Sequence, residues 1–172
     1  MKKEELAKII YSVSNIKGNF VLPSGNTSNK FFDKYQFESN PNLLKEVVLH
    51  LKPLINFNFD MVAGLEIGGI PIAAILGVEL NKPIVYVRKE PKTYGTAKFV
   101  EGIDIVNKDL LIVDDIMISG WQILNSSNAL RREGAIVNKA LCVIEKEQGG
   151  RETLKNEGIE LISLFKMSEL KN

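Results

Sequence analysis

Residues 110–124, LLIVDDIMISGWQIL, decide the fold of this chain. Four apolar residues end in two adjacent carboxylates, Asp114 and Asp115, and a short loop with Ser119 and Gly120 then opens a helical stretch. An apolar run without alternation is typical of a strand that is buried on both faces of a parallel sheet. Because ligands gather at the carboxyl ends of such strands, we expect the chemistry of this protein at the junction.

The two aspartates are compatible with more than one interpretation. Neighbouring side chains of a strand point to opposite faces, so the pair can share a ligand only if the strand has already given way to a loop. Free N–H groups at the start of the helix after Ile118 suit a phosphate, and acids beside a phosphate indicate a cation or sugar hydroxyls between them. Ordinary helix-capping acids would produce the same pair. A phosphate-loop NTPase would also need GxxxxGK[ST], which the sequence lacks.

Composition and charge restrict the class of protein. The 172 residues are enough for one domain with a real core, and 22 basic against 21 acidic residues leave a net charge of +1. This balance predicts no nucleic-acid partner. The single cysteine, Cys142, lies in an apolar run, and nothing in the sequence is typical of a signal peptide or a membrane span. We therefore expect a cytoplasmic protein with no membrane partner.

The first part of the chain predicts a helix and a flap. Residues 2–14 have apolar side chains at helical spacing, and residues 18–33 consist of short apolar pieces separated by the turn-forming PSGNTS. This second stretch predicts a small hairpin or irregular flap. Phe31 and Phe32 cannot both face one side of a strand, so one can pack inward while the other covers a flat ligand. Two ordinary core or subunit-contact aromatics fit the spacing equally well.

Helices and strands alternate from residue 39 onward. Pro41 begins a helix, residues 59–65 form a strand, and Gly68 and Gly69 then allow a close backbone approach before the next helix. The glycine pair is a candidate anion site, although such turns are also common without a ligand. The pattern predicts an α/β domain with a central, mainly parallel sheet of about five strands flanked by helices. The remaining predicted elements are strands at 84–87, 136–145 and 159–165 and helices at 124–133 and 151–158.

A long basic loop spans residues 88–101, and it shows neither helical nor strand periodicity. Its lysines have no obvious local partners, and cations on a mobile loop are what an enzyme needs to close over a polyphosphate. This loop and two others, 64–69 and 114–122, are predicted to converge at carboxyl ends of strands. A ligand with two separated phosphate groups and hydroxyls between them fits this arrangement. The cations of the loop are Arg88, Lys89, Lys92 and Lys98.

The motifs resemble those of the type I phosphoribosyltransferases, and among them the orotate phosphoribosyltransferases. LLIVDDIMISGWQIL resembles the motif for phosphoribosyl diphosphate (PRPP), and GNFVLPSGNTSNKFFD resembles the amino-terminal substrate segment. VAGLEIGGIPIA resembles the pyrophosphate loop, RKEPKTYG the catalytic loop and IEKEQGGRE the turn that holds the base. The resemblance implies one domain with the family's fold. Residues 1–38 would form a helix and a base-covering flap, and residues 39–172 the PRPP-binding core.

The resemblance also implies an activity, which is magnesium-dependent transfer of phosphoribosyl from PRPP to orotate. The products would be orotidine 5-phosphate and pyrophosphate, in pyrimidine (UMP) biosynthesis. In a homodimer, Lys92 and Tyr94 would reach into the site of the neighbouring subunit. The implied catalytic residues are Arg88, Lys92, Asp114 and Asp115, the last two also holding Mg²⁺ directly or indirectly. The implied substrate-binding residues are Phe31, Phe32, Gly68, Gly69, Lys89, Tyr94, Ile118, Ser119, Gly120, Trp121, Gln122 and Lys146.

Several positions depart from the family's pattern. Ile118 stands where the family usually has threonine, and Trp121 and Gln122 replace smaller residues beside the expected 5-phosphate site. Pro23 stands where many members carry lysine. Lys146 occupies the expected position of a base-binding arginine, and lysine cannot form the planar two-donor fork to a carboxylate, so weaker orotate recognition is expected. A transferase for another base, and a relative that binds PRPP or a nucleoside monophosphate as a sensor without useful turnover, therefore stay open.

Overall fold

The computed structural model describes residues 1–21, 25–92, 95 and 98–171. Within these residues, no helix combines the length and the apolar character that a membrane span requires. The strands are β1 (Asn15–Val21), β2 (Thr27–Phe32), β3 (Met61–Leu65), β4 (Ile84–Val87), β5 (Val100–Glu101), β6 (Asp109–Met117), β7 (Ile136–Glu145) and β8 (Glu160–Lys166). The helices are α1 (Lys3–Ser14), α2 (Tyr35–Glu38), α3 (Pro41–Leu51), α4 (Gly69–Leu80), α5 (Trp121–Arg132), α6 (Gly150–Asn156) and α7 (Met167–Leu170).

A six-stranded sheet with the order β5-β4-β3-β6-β7-β8 forms the centre of the fold. Every pairing in it is parallel except that of β4 with β5. The predicted α/β class with a mainly parallel central sheet is confirmed. The number of strands exceeds the predicted five because β5 contains two residues, which are too few to show any periodicity.

Strand β6 is covered on both faces, and this burial explains its continuous apolar sequence. Leu111 and Val113 belong to the core that α1, α3 and α4 complete on one face. Leu110 and Ile112 belong to the core that α5 and α6 complete on the other face. All four side chains are 0% exposed. A strand in this position has no solvated face on which alternating polar residues could lie.

The amino-terminal region forms a separate two-stranded antiparallel sheet from β1 and β2. As predicted, the two phenylalanines at the end of β2 differ, since Phe32 packs partly buried against the core and Phe31 is 40% exposed. The Phe31 ring lies 5.6 Å from the ring of Phe20. Helix α3 begins as predicted at Pro41, where the Asn40 side chain accepts hydrogen bonds from the first-turn N–H groups. Pro23 lies outside the described residues.

Two features of the sequence were interpreted incompletely. Strand β6 does not end at the aspartates but continues to Met117, because β7 pairs alongside it as far as Glu145. Helices α2 and α7 were not predicted, since each has four residues and therefore no measurable apolar period. The extra length of β6 places both aspartates within the strand rather than in a loop.

The strand order reverses between β3 and β6, and this position defines a crevice. From β3 the chain proceeds through α4 to β4 on one side, and from β6 it proceeds through α5 to β7 on the other. Helix α4 contributes to the core on one face of the sheet and α5 to the core on the opposite face. Ligands of open α/β sheets bind at such a switch point, outside the carboxyl ends of the strands.

We expect Leu111→Ala to lower the free energy of unfolding by about 2–5 kcal/mol, because it leaves a cavity in the most enclosed strand. Leu49→Ala is the matched control, since the Leu49 side chain on α3 is 42% exposed. Urea denaturation followed by circular dichroism measures both variants. Equal losses for the two leucines would contradict the placement of β6 at the centre of the core.

Candidate active site

Asp114 and Asp115 lie near the carboxyl end of β6 and face opposite sides of the sheet. The Asp114 side chain lines a cavity of about 270 Å³ together with residues 116–123, at the start of α5. The Asp115 side chain lies on the other side, against Gly68 and Lys34. The two residues are only 4% and 1% exposed. A single ligand can therefore contact both carboxylates only by lying across the end of the strand.

The buried position of Asp114 changes its acidity. Burial, together with the neighbouring charge of Asp115, raises the pKa of Asp114 to about 7. A hydrogen bond of 3.0 Å from the Asp115 N–H to Asp114 Oδ1 acts in the opposite direction. A cation or hydroxyl donors bound at this carboxylate would favour its charged form, so ligand binding at Asp114 is coupled to loss of a proton.

Lys34 and Glu38, at α2, complete the surroundings of Asp115. The Lys34 ammonium lies 2.5 Å from Asp115 Oδ2. Burial lowers the pKa of Lys34, but the hydrogen bond and charge of Asp115 outweigh it, so the net pKa is raised. Burial, followed by the charge and hydrogen bond of Asp115, raises the pKa of Glu38 to about 8. Glu38 Oε1 is buried and has no hydrogen-bond partner among the described residues. The lysine and the two acids thus form one coupled group.

The loop from Ile118 to Gly120 connects β6 to α5 and leaves the helix start open. Gly120 has a φ of 83°, and a Cβ there would lie 2.9 Å from Gly150 O, so glycine is needed for both reasons. The first N–H groups of α5 have no acceptor within the helix and carry its positive dipole end. Ile118 and Trp121 are 45% and 61% exposed. Ser119 is the one hydroxyl-bearing residue among residues 118–122, so backbone N–H groups supply most of the donors available at this helix start.

Gly68 and Gly69 are required by contacts within the chain. A Cβ at Gly68 would lie 1.5 Å from Asp115 Oδ2, and a Cβ at Gly69 would lie 2.2 Å from Val113 O. The predicted close approach of this glycine turn is confirmed, and the neighbour it approaches is β6. The turn that begins α4 is therefore packed directly against the buried aspartate.

Glu66 joins the three loops that the sequence predicted to converge. Its Oε2 accepts a hydrogen bond of 2.9 Å from the Lys89 N–H, and its carbonyl oxygen accepts one of 3.3 Å from Gln122 Nε2. The peptide bond between Glu66 and Ile67 is cis. A cavity of about 340 Å³ lies between the loops, and Glu66, Arg88, Lys89 and Gln122 are among its lining residues. The predicted convergence of loops at this sheet edge is confirmed.

The basic loop has a local acidic partner, contrary to the sequence-based expectation. The Lys92 ammonium forms an ion pair with Glu101, and the Arg88 guanidinium lies 3.7 Å from the same carboxylate. A hydrogen bond from Lys92 is the main cause of the lowered pKa of Glu101. The partner was missed because β5 pairs with β4 and returns Glu101 to the start of the loop. Tyr94 lies outside the described residues.

Phe32 and Lys146 line a larger cavity of about 710 Å³ on the side of β1 and β2. Lys146 follows β7, and its N–H donates a hydrogen bond of 2.7 Å to Met117 O at the end of β6. Burial, with the nearby charges of Lys171 and Lys34, lowers the pKa of Lys146. Some of the predicted site residues line three cavities at one end of the sheet, whereas Phe31 and Lys92 make the separate contacts described above, and Gly68, Gly69 and Asp115 pack within the chain. The residues that line the cavities are Phe32, Arg88, Lys89, Asp114, Ile118, Ser119, Gly120, Trp121, Gln122 and Lys146.

Residues 36–163 match the model of the phosphoribosyl transferase domain. The chain belongs to the phosphoribosyltransferase family. It is 38% identical to the orotate phosphoribosyltransferase of Methanocella arvoryzae over 96% of this chain and 95% of the relative. It is 36% identical to that of Pyrococcus horikoshii over 98% and 92% of the two chains. The resemblance inferred from the motifs is confirmed.

Solved structures of the family share the fold. The crystal structure of orotate phosphoribosyltransferase from Aeropyrum pernix matches with a TM-score of 0.84 at 30% identity, over 96% of this chain and 95% of that chain. The Mycobacterium tuberculosis orotate phosphoribosyltransferase in complex with PRPP matches with a TM-score of 0.83 at 21% identity, over 99% of each chain. The chain is therefore a phosphoribosyltransferase in fold and in sequence.

Phosphoribosyltransferases act on phosphorylated sugars, and the residues here fit a Mg²⁺ ion. Mg²⁺ is held in proteins by one or two carboxylates together with water and substrate phosphates. Asp114 supplies a carboxylate beside the start of α5, and Asp115 supplies a second one on the opposite face of the strand, where it is paired with Lys34. The described residues contain no group of three or more acidic, histidine or cysteine side chains placed to hold a metal. A metal bound here would therefore need oxygen ligands from the substrate.

Lys34 and Glu38 were not among the predicted site residues. Their segment, DKYQFES, lies between the flap and α3 and was too short for a pattern. The only signal in the sequence was the aromatic Phe37 directly before Glu38, and its burial is visible only in the structure, where it is 0% exposed. Paired or coupled charges are the ones that occupy buried positions.

We expect Glu38→Gln to weaken the pH dependence of stability. The pKa of Glu38 rises from 4.5 to about 8 on folding, so between these values the native state keeps a proton that the unfolded state has lost. The free energy of unfolding contributed by this group therefore falls as the pH rises through that window. Urea unfolding of the native protein at about pH 5 and about pH 8 should show a larger fall than the variant does.

The exposed Glu5 of α1 provides the control, because Glu5→Gln should leave the pH dependence unchanged. If Glu38→Gln and the native protein lose the same stability between the two pH values, Glu38 is not protonated in the folded protein.

Proposed function

We propose that this phosphoribosyltransferase transfers the phosphoribosyl group of PRPP to orotate, giving orotidine 5-phosphate and pyrophosphate, in pyrimidine biosynthesis. The observation that carries the proposal is the set of three cavities around the end of β6. One is beside the start of α5, one lies between cationic loops, and one contains Phe32 and Lys146. A 5-phosphate, a pyrophosphate and a base require three such environments. Full-length similarity to orotate phosphoribosyltransferases supports the same substrates.

The ribose 5-phosphate is assigned to the loop formed by Ile118, Ser119, Gly120, Trp121 and Gln122. Backbone N–H groups and the helix dipole provide donors there whatever the side chains are. The missing threonine hydroxyl at Ile118 should therefore weaken this contact and not remove it. Asp114 and Asp115 are assigned to the ribose hydroxyls, directly or through Mg²⁺, at the adjacent strand end.

The departing pyrophosphate is assigned to Gly68, Gly69 and the cations Arg88, Lys89 and Lys92. Negative charge builds on the leaving group as the ribose becomes oxocarbenium-like, so cations placed there stabilise the transition state. Bound Mg²⁺ supplies Lewis-acid stabilisation of the same charge. Lys92 must exchange its contact with Glu101 for a contact with pyrophosphate, which favours movement of the loop when substrate binds.

The pyrimidine is assigned to the cavity that Phe32 and Lys146 line. An aromatic ring suits the flat face of a base, and a cation suits the carboxylate of orotate. The N1 anion of orotate is nucleophilic enough to attack the ribose carbon, so no covalent enzyme intermediate is required. Phe31 is assigned to the rim of this site, and Tyr94 is assigned, with Lys92, to the site of the neighbouring subunit.

A second candidate function is PRPP or nucleotide binding without useful turnover, as a sensor. The exposed side chains of Ile118 and Trp121 favour it, because they place apolar bulk beside the proposed phosphate site. We further propose a homodimer, and a single domain whose residues 1–38 cover the base and whose residues 39–172 bind PRPP. Turnover with purified protein separates the two functions, since only the enzyme releases pyrophosphate from PRPP and orotate.

Steady-state assays should show orotate- and PRPP-dependent release of pyrophosphate that requires Mg²⁺. The double variant Asp114→Asn with Asp115→Asn should abolish turnover and reduce PRPP affinity at least about 100-fold, because two charged contacts to the ribose or metal are lost. Calorimetric titration with PRPP and Mg²⁺ measures the affinity. Unchanged PRPP affinity in the double variant would show that the site lies elsewhere.

Mixing two inactive variants tests whether the loop of one subunit completes the site of the other. Lys92→Ala protein mixed with the double aspartate variant should recover about a quarter of native activity, because half of random two-fold dimers are mixed and each has one intact site. Subunit exchange is verified by mass spectrometry of the mixture. No recovery in a mixture that has exchanged would indicate that Lys92 acts within its own subunit.

A further inference from the structure

Lys171 at the carboxyl end of α7 lines the same cavity as Lys146. Phe32 and Tyr11 provide aromatic walls, and their ring centroids lie 6.5 Å apart. Gln148 adds a polar group to the lining. The cavity therefore combines flat apolar surfaces with two ammonium groups from different elements.

Three contacts hold α7 beside this cavity, and Lys171, whose side chain is exposed, follows directly after the helix. Leu170 is 2% exposed and anchors α7 in the core beside Phe165. The Ser168 N–H donates a hydrogen bond of 3.1 Å to Glu147 Oε2, which ties α7 to the turn that carries Lys146. The α7 start is closed by a hydrogen bond of 2.8 Å from the Lys166 N–H to Glu169. The position of Lys171 next to Lys146 is thus built by the fold.

The charge of these two lysines is not balanced locally. Within the described residues, neither ammonium group lies within ion-pair distance of a carboxylate, whereas Lys34 is paired with Asp115. The Glu147 carboxylate also lines the cavity, and its Oε2 accepts the α7 hydrogen bond. Two lysines and one glutamate leave one positive charge in excess in this part of the lining. Lys146 is half-buried, and the charge of Lys171 contributes to its lowered pKa. A partly buried cation beside another cation is stabilised when an anion binds between them.

We propose that Lys171 is a specificity-determining residue that binds the carboxylate of the base together with Lys146. This inference rests on the proposed orotate activity. One lysine provides a single point contact, and two lysines approaching from the β7 turn and from α7 provide two donors to the two carboxylate oxygens. The pair therefore substitutes for the two-donor fork of an arginine at position 146.

Ligands with and without the carboxylate provide the test. Orotidine 5-phosphate carries the carboxylate on its base, and uridine 5-phosphate is otherwise the same molecule. Calorimetry should show that Lys171→Ala and Lys171→Gln bind orotidine 5-phosphate about tenfold more weakly, with uridine 5-phosphate affinity changed less than about twofold. Lys45→Ala, at an exposed lysine of α3, should change neither affinity.

A rescue variant separates recognition from a structural role. Adding Lys146→Arg to Lys171→Ala should restore most of the lost affinity, because the guanidinium fork supplies both donors. In the native background, Lys146→Arg should improve the KM for orotate by less than about threefold. Equal losses for both nucleotides, no loss in either Lys171 variant, or no rescue would each overturn the assignment of Lys171.

The outcome for Lys171 is distinguishable from the outcome for the proposed function. If the native protein releases no pyrophosphate from PRPP and orotate, the proposed transferase activity fails. The difference between the two nucleotide affinities still reports on Lys171 in that case. If native turnover is efficient and Lys171→Ala leaves the KM for orotate unchanged, the transferase activity stands and the inference about Lys171 fails.

Discussion

The burial of two carboxylates at the end of a strand that is covered on both faces is the constraint on which the rest of the site depends. Charges at such a depth are stable only when paired or coordinated. Lys34 meets Asp115, Glu38 shares its surroundings, and Gly68 has no side chain because Asp115 occupies the space. Burial thus disfavours the charged form of Asp114, and hydroxyls or a cation bound there, as proposed above, would offset part of that cost.

The two aspartates lie in different surroundings because neighbouring side chains of β6 point to opposite faces of the sheet. Asp114 faces the start of α5, where helix N–H groups attract an anion, and Asp115 faces α2 and α4. A ligand that spans the strand end uses both sides at once. The phosphate site proposed at the start of α5 depends on backbone N–H donors, so it does not require the usual side chains in the preceding loop. Trp121 lines the cavity at this helix start, and its side chain is exposed.

Positive charge at this end of the sheet is divided between the cavity proposed for pyrophosphate and the cavity proposed for the base. Arg88 and Lys89 border the cavity between the loops, while Lys146 and Lys171 border the cavity beside the flap. One of the cations of the basic loop, Lys92, forms an ion pair with Glu101. If Lys92 exchanges Glu101 for pyrophosphate, as proposed, substrate binding would be coupled to movement of the basic loop.

The α/β class, most of the helices and strands, and the family could all be predicted from the sequence alone. Buried strands, glycine turns and motif order are local properties of the chain, so they are visible without the structure. The sequence also predicted that Gly68, Arg88, Asp114 and residues 118–122 would gather at one sheet edge. Tertiary structure decided the rest. Pairing with β7 extends β6 past the aspartates, and the pairing of β4 with β5 brings Glu101 to Lys92. The packing of α2 places Lys34 and Glu38 beside Asp115. The packing of α7 places Lys171 at the cavity that Lys146 lines. Such contacts join residues far apart in sequence, and elements of two to four residues have no periodicity from which their position could be predicted.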